Sequence, residues 1–190
     1  MRKNKAIFLD RDGVINEEIN YLHKIEDFVF TRNCLEALKA FQTQGYLLFI
    51  ITNQAGIGRG YYTETDYHLL TNWMLARLKQ HNIEITQVRF CPHHAQEGIG
   101  KYKRDCSYRK PNSGMINELV EKYNIDVEQS ILVGDTLSDI QAGVNAKVNT
   151  LVLVKSGKKL PDKLPDTIHY LCEDLAEYSQ LMLTELALKK

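Results

Sequence analysis

Short apolar runs and longer amphipathic segments alternate along this chain of 190 residues, and the alternation restricts the fold more than any other feature. Ala6-Ile7-Phe8-Leu9, Leu47 to Ile51 and Leu151 to Val154 have the length of strands. Between such runs lie segments whose apolar residues recur at helical spacing, a pattern that predicts a parallel sheet covered by helices on both faces. Strands are expected near 5–10, 46–52, 85–90, 130–134 and 149–154, and helices near 33–44, 63–81, 112–124, 137–145 and 173–188. Thr63-Glu64-Thr65-Asp66 opens the second helix with a capping residue and early acids. Leu69, Leu70, Trp73, Met74 and Leu78 recur at helical spacing and are expected in the core. Residues 155–167, with Gly157, Pro161 and Pro165, read as a surface connection before a last strand and helix. No repeat or linker divides the chain, so one domain over 1–190 is expected.

Charge is balanced at 24 basic and 24 acidic residues, so neither nucleic acid nor an anionic membrane is an expected partner. The apolar runs are too short to cross a bilayer. Met1-Arg2-Lys3-Asn4-Lys5 leads into only four apolar residues before Asp10, so no signal peptide is expected and a cytoplasmic protein is the reading. Four cysteines do not make a disulfide scaffold in a chain of this length. Cys34 and Cys172 read as buried apolar residues.

Ligands of open parallel sheets bind beyond the carboxyl ends of the strands, and there the polar residues of this chain collect. The first strand runs into Asp10-Arg11-Asp12-Gly13. In an extended chain the two carboxylates share one side, roughly 7 Å apart, and a shared cation relieves their repulsion; a polar turn is the plainer alternative. The second strand runs into Thr52-Asn53-Gln54 and the glycine-rich Gly56-Ile57-Gly58-Arg59-Gly60, a turn able to cradle phosphate. The fourth runs into Gly134-Asp135-Thr136-Leu137-Ser138-Asp139, and Arg109-Lys110-Pro111 precedes the third helix with positive charge.

These four segments resemble the signatures of the haloacid dehalogenase-like phosphatases, over nearly the whole chain. Asp10 to Asn16, Thr52 to Tyr61, Cys91-Pro92-His93-His94 and Arg109-Lys110-Pro111 resemble more narrowly the heptose 1,7-bisphosphate phosphatases, with histidinol-phosphate phosphatases as near relatives. The resemblance implies a doubly wound, mainly parallel, Rossmann-like α/β sheet without a large cap domain. It also implies Asp10 as nucleophile, Asp12 as proton carrier, and Mg2+ held by Asp10, the Asp12 backbone carbonyl and Asp135. Thr52 and Lys110 would hold the phosphoryl oxygens, and Asp139 would orient Lys110 or the metal ligands. Asn53, Gln54, Arg59, Arg109 and Thr136 are the candidate substrate contacts, the two arginines for a second phosphate of a small sugar. A monomer is expected.

The stretch from Cys91 to Lys110 is long for a structureless loop unless something clips it. The resemblance implies a zinc clip of a Cys-x-His and a Cys-x-Cys pair, but here Tyr108 stands at the fourth position, leaving Cys91, His93 and Cys106. The alternative is a metal-free loop packed through Tyr102 and Tyr108. Residues 13–32 are expected to form a small flap beside Asp10, with His23 a solvated loop residue. Two other classes compete: a receiver-like phosphoacceptor and a non-catalytic metal-binding module. In the receiver the acceptor aspartate follows the third strand, which here ends in Cys91-Pro92-His93.

Overall fold

The computed structural model describes residues 3–188; Met1 and Arg2, where the amino-terminal reading begins, lie outside them. Six strands form one sheet: β1 (Ala6–Leu9), β2 (Leu47–Asn53), β3 (Gln87–Cys91), β4 (Ile131–Gly134), β5 (Thr150–Val154) and β6 (Tyr170–Cys172). Their order is β3-β2-β1-β4-β5-β6, and each neighbouring pair is parallel. The helices are α1 (Cys34–Thr43), the single turn α2 (Ala55–Gly58), α3 (Glu64–Gln80), α4 (Gly114–Tyr123), α5 (Leu137–Asn145) and α6 (Leu175–Leu188).

Alternation along the strands sorts the core into two layers, because successive side chains of a strand point to opposite faces. Ile7, Leu9, Leu48, Ile50 and Val133 pack with Leu38 of α1, Met74 of α3 and Tyr178 of α6. Phe8, Phe49, Ile51 and Leu132 pack on the other face with Leu119 of α4 and Ile140 of α5. The sheet is doubly wound, as expected. From β1 the chain winds outward through β2 and β3, then returns to β4 on the other side of β1. That reversal opens a crevice at the carboxyl ends of β1 and β4, and Asp10 and Asp135 are the first residues beyond those ends.

Most expected elements lie within two residues of the observed ones, and the differences have local causes. The glycine-rich turn after β2 is the helical turn α2; two glycines in four residues hide it, since glycine is a poor helix former. Leu69 is 59% exposed, so the expected core stripe of α3 is narrower and rests on Leu70, Met74 and Leu78. The α3 start behaves as predicted, with Thr63 and Asp66 exchanging hydrogen bonds in a capping box. Residues 91–110 carry a 3-10 turn at Gly100–Tyr102. His23 is not freely solvated: its ring stacks on Tyr62 at 4.9 Å. Cys34 and Cys172 are buried. No helix of the described residues is long and apolar enough to cross a membrane.

Candidate active site

The crevice holds a cavity of about 230 Å3, lined by Asp10, Asp12, Arg59, Arg109, Lys110 and Asp135 among others. Asp10 sits just past β1, where its Oδ1 accepts from the Arg11 backbone N–H at 2.7 Å. Lys110 is 3% exposed and reaches the same place from before α4. Its Nζ lies 3.0 Å from Asp10 Oδ1 and 2.6 Å from Asp139 Oδ1, and it donates to the Ile51 carbonyl at 2.9 Å. Burial disfavours the lysine's charge, but the two carboxylates outweigh it and hold the pKa above the ordinary lysine value.

One ammonium is shared among too many acids. Burial raises the Asp10 pKa well above the ordinary carboxylate value, opposed by Lys110 and reinforced by Asp139 and Asp135, with Asp12 the weakest contributor. Burial, then Asp139, pushes Asp135 up to about 7. Oxygens of Asp10, Asp135 and Asp139 lie within 4.8 Å of one another. The repulsion expected between Asp10 and Asp12 is thus displaced onto residues distant in sequence. A hard divalent cation between Asp10 and Asp135 fits this donor set, since it stabilises the ionised form of both.

Asp139 is less free to ligate. Its Oδ2 accepts from the Thr136 N–H at 3.0 Å and the Thr136 hydroxyl at 2.7 Å, which caps α5, while Oδ1 faces Lys110. Asp135 is held by a strap after β5. Lys158 N–H donates to its Oδ2 at 3.0 Å, and Ser156 Oγ donates to the Gly13 carbonyl at 2.6 Å. Gly13 has φ +80° and packs on Asp135, as does Gly157; a Cβ at either would collide with that carboxylate. The connection 155–167 is therefore part of the site at its start, not surface alone.

Asp12 is held by a different set. Arg11, 1% exposed, clasps it through Nη2, 3.0 Å from both oxygens. Asn16 Nδ2 donates to Oδ1 at 3.0 Å and Gln54 Nε2 to Oδ2 at 3.1 Å. Gln54 also donates to Thr52 Oγ1 at 2.8 Å and accepts from Tyr62 Oη at 2.5 Å. The Thr52 hydroxyl, buried at 1%, keeps its own proton for another acceptor. Asn53 exchanges two hydrogen bonds with the Lys110 backbone, at 3.0 and 3.1 Å, tying Arg109-Lys110 to the end of β2. Arg11, Asn16, Tyr62 and Lys158 escaped the sequence reading. For Arg11 a signal existed: a guanidinium between two carboxylates at a buried strand end has nowhere else to find a partner.

In the 91–110 loop, ligand atoms of Cys91, His93 and Cys106 lie within 4.8 Å of one another, with Cys91 Sγ 3.7 Å from His93 Nδ1. Tyr108, at the position of the fourth ligand, packs against the apolar layer that holds Leu119 and Ile140.

Comparison with known proteins agrees with this geometry. Residues 107–178 match the HAD-hydrolase-like family. The chain is 47% identical over 180 residues to the D-glycero-alpha-D-manno-heptose-1,7-bisphosphate 7-phosphatase of Photorhabdus laumondii, covering 95% of this chain and 97% of that protein. It is 37% identical over 175 residues to the D-glycero-beta-D-manno-heptose-1,7-bisphosphate 7-phosphatase of Escherichia coli, covering 92% of each. A solved D,D-heptose 1,7-bisphosphate phosphatase from B. bronchiseptica, complexed with magnesium and phosphate, superposes with a TM-score of 0.83 at 29% identity, covering 95% of this chain and 99% of that one. Likeness of this extent, joined to a carboxylate crevice at the switch point of the sheet, is that of common descent: the chain belongs to the heptose-1,7-bisphosphate 7-phosphatase family of the haloacid dehalogenase-like phosphatases.

Proposed function

We propose that the chain removes the 7-phosphate of D-glycero-D-manno-heptose 1,7-bisphosphate by way of an aspartyl-phosphate intermediate. The observation that carries the reading is the placement of Asp10: its carboxylate stands at the mouth of the crevice, 3.0 Å from Lys110 and beside Asp135. Phosphate-monoester hydrolysis is among the slowest uncatalysed reactions, so the site must aim a nucleophile and neutralise the transferring group. An Asp10 oxygen attacks phosphorus, and the leaving sugar oxygen takes a proton from Asp12. Asp12 then takes a proton from the water that cleaves the intermediate. Lys110 balances charge on the nucleophile and on the transferring oxygens, and Thr52 donates its free proton there. Mg2+, held by Asp10, Asp135 and the Asp12 backbone carbonyl, supplies charge neutralisation when bound.

The side chains of Asn53, Gln54 and Thr136 are engaged within the protein, which supports a positioning task for them, and Arg59 and Arg109, which line the cavity, are the contacts for the second phosphate. Flap 13–32 covers the crevice within the one domain. A cytoplasmic location belongs to the same reading. Phosphate release from the heptose bisphosphate, histidinol phosphate and an aryl phosphate, with and without Mg2+, tests the assignment. The bisphosphate is expected to be preferred, and only with Mg2+; preference for histidinol phosphate overturns the substrate, and no release from any of the three overturns the activity.

We also propose that Cys91, His93 and Cys106 hold a structural Zn2+ that clips the 91–110 loop, with water as the fourth ligand. Burial pushes the Cys91 thiol up to about 12, so metal uptake must release its proton, and occupancy falls as the solution is acidified. Elemental analysis is expected to find about one zinc per chain, lost in Cys106→Ala. A zinc-free wild type refolded with Zn2+ present refutes the clip.

A further inference from the structure

Arg59 is the point where three walls of the cavity meet. It follows α2 and lines the cavity. Through Nη1 it donates to Tyr21 Oη at 2.6 Å, in the 13–32 segment. Through Nη2 it pairs with Glu97 of the 91–110 loop, and Nη2 also lies 3.5 Å from His94 Nε2. The Glu97 carboxylate is in turn 3.5 Å from His94, and its backbone N–H donates to His94 Nδ1 at 3.1 Å. Burial lowers the Arg109 pKa, Cys91 opposes that, and the group is near enough for Arg59 to repel it and for Glu97 to attract it. Two guanidiniums thus border the polar cavity; Arg109 Nη1 donates to the His93 carbonyl at 3.1 Å, and Glu97 is the carboxylate paired with Arg59.

That carboxylate is poorly anchored as a permanent partner. Glu97 is 53% exposed whereas Arg59 is 24% exposed, and ion pairs with one exposed member contribute little. Arg59 Nε is buried with no hydrogen-bond partner, a donor that a monodentate contact to Glu97 leaves unused. A phosphate group offers more acceptor oxygens and more charge to a guanidinium fork than a carboxylate does.

We propose that Glu97 is a specificity-determining residue, an internal carboxylate that occupies Arg59 until the second anionic group of a doubly phosphorylated substrate displaces it. The inference rests on the reading of the substrate as a sugar bisphosphate. A monophosphate brings nothing to exchange for Glu97, so the pair stays closed and contributes no binding. Glu97 does not touch the reacting phosphorus, and the change it makes falls on KM and not on kcat.

Steady-state kinetics of Glu97→Gln on heptose 1,7-bisphosphate and on p-nitrophenyl phosphate test the exchange. The KM for the bisphosphate is expected to fall about two- to fivefold, the range of a partly exposed ion pair, with the KM for the aryl phosphate unmoved. In an Arg59→Gln background the same substitution is expected to change neither constant, since the partner that gave it an effect is gone. A bisphosphate KM that stays or rises in Glu97→Gln, or KM values that move together for both substrates, overturns the proposal. Wild-type protein that hydrolyses the aryl phosphate but not the heptose bisphosphate overturns the substrate reading alone. The exchange is then read from inhibition of aryl phosphate hydrolysis by the bisphosphate, which Glu97→Gln must strengthen for the proposal to stand.

Discussion

Asp10→Asn is expected to lower phosphate release by about 10^4-fold or more, because an amide cannot form the acyl-phosphate bond on which the two-step route depends. The same substitution is expected to leave the fold intact. Asparagine keeps the oxygen that accepts from the Arg11 N–H at 2.7 Å, and Lys110 retains Asp139 at 2.6 Å and the Ile51 carbonyl at 2.9 Å. What disappears is one of three clustered acids, two of which pair with that lysine. The sign of the stability change follows from the direction of the Asp10 pKa. Burial raises it in the folded protein, so the wild type without divalent cations binds more protons folded than unfolded. Its stability contribution is present below the unfolded carboxylate value of about 4 and is lost as pH rises through the folded value. The asparagine variant lacks that loss, so its melting temperature without Mg2+ is expected to match the wild type near pH 4 and exceed it at pH 8. Turnover measured beside thermal melts at both values checks the pair of expectations. Near-normal turnover refutes Asp10 as the nucleophile, and a variant less stable at pH 8 refutes the charge-crowding account.

The sheet was legible because its strands are read from a local pattern. Ile7, Leu9 and Phe8 announce a buried strand from four consecutive positions, and both faces of the sheet accept apolar residues. Asp10, Thr52, Lys110 and Asp135 were legible because Asp10 and Asp135 stand just beyond strands, Thr52 at the carboxyl end of β2 and Lys110 shortly before α4, where a parallel sheet gathers its ligands. The remainder depends on contacts that no local window contains. Ser156 meets Gly13 across 143 positions and Lys158 meets Asp135 across 23, so the strap on Asp135 read as an ordinary connection. Gln54 reads as a substrate contact from its place after Thr52, and it lines the cavity, but the bonds of its amide to Asp12, Thr52 and Tyr62 could not be read locally. Leu69 is an error of another kind. Helical spacing marks a face, but only the packing of α3 decides where the face ends, and Leu69 lies outside it. Tyr108 was legible as a departure from the zinc pattern, and its packing against the apolar layer of Leu119 and Ile140 was not.

Lys110→Met is expected to damage stability and activity together, which separates it from Asp10→Asn. Methionine matches the length of the buried stem but leaves Asp10 and Asp139 facing each other without a cation. Removing one partner of a buried charge cluster costs about 3–5 kcal/mol, and loss of a donor that serves the transferring phosphoryl group costs about 10^2- to 10^3-fold in kcat. The stability loss has a pH signature. With the ammonium gone, nothing opposes the burial that already raises the Asp10 pKa, so it climbs further beside Asp135, which burial and then Asp139 place at about 7. Raised acids stabilise the folded state while protonated, and that contribution is lost as pH climbs through their folded values. The variant is therefore expected to melt closest to the wild type near pH 5 and to fall furthest below it at pH 8. Thermal melts without divalent cations at the two values read this directly, and the slope between them separates a charge effect from a packing effect, since a misfitted methionine would cost the same at both. A pH-independent deficit would assign Lys110 a packing role, and an unchanged melting temperature would mean that the acids find their counter-charge elsewhere. Mg2+ supplies an internal control: a cation bound between Asp10 and Asp135 replaces part of the missing charge, so it is expected to recover melting temperature at pH 8 while leaving turnover depressed. Recovery of both would show that the ammonium does no more than screen Asp10.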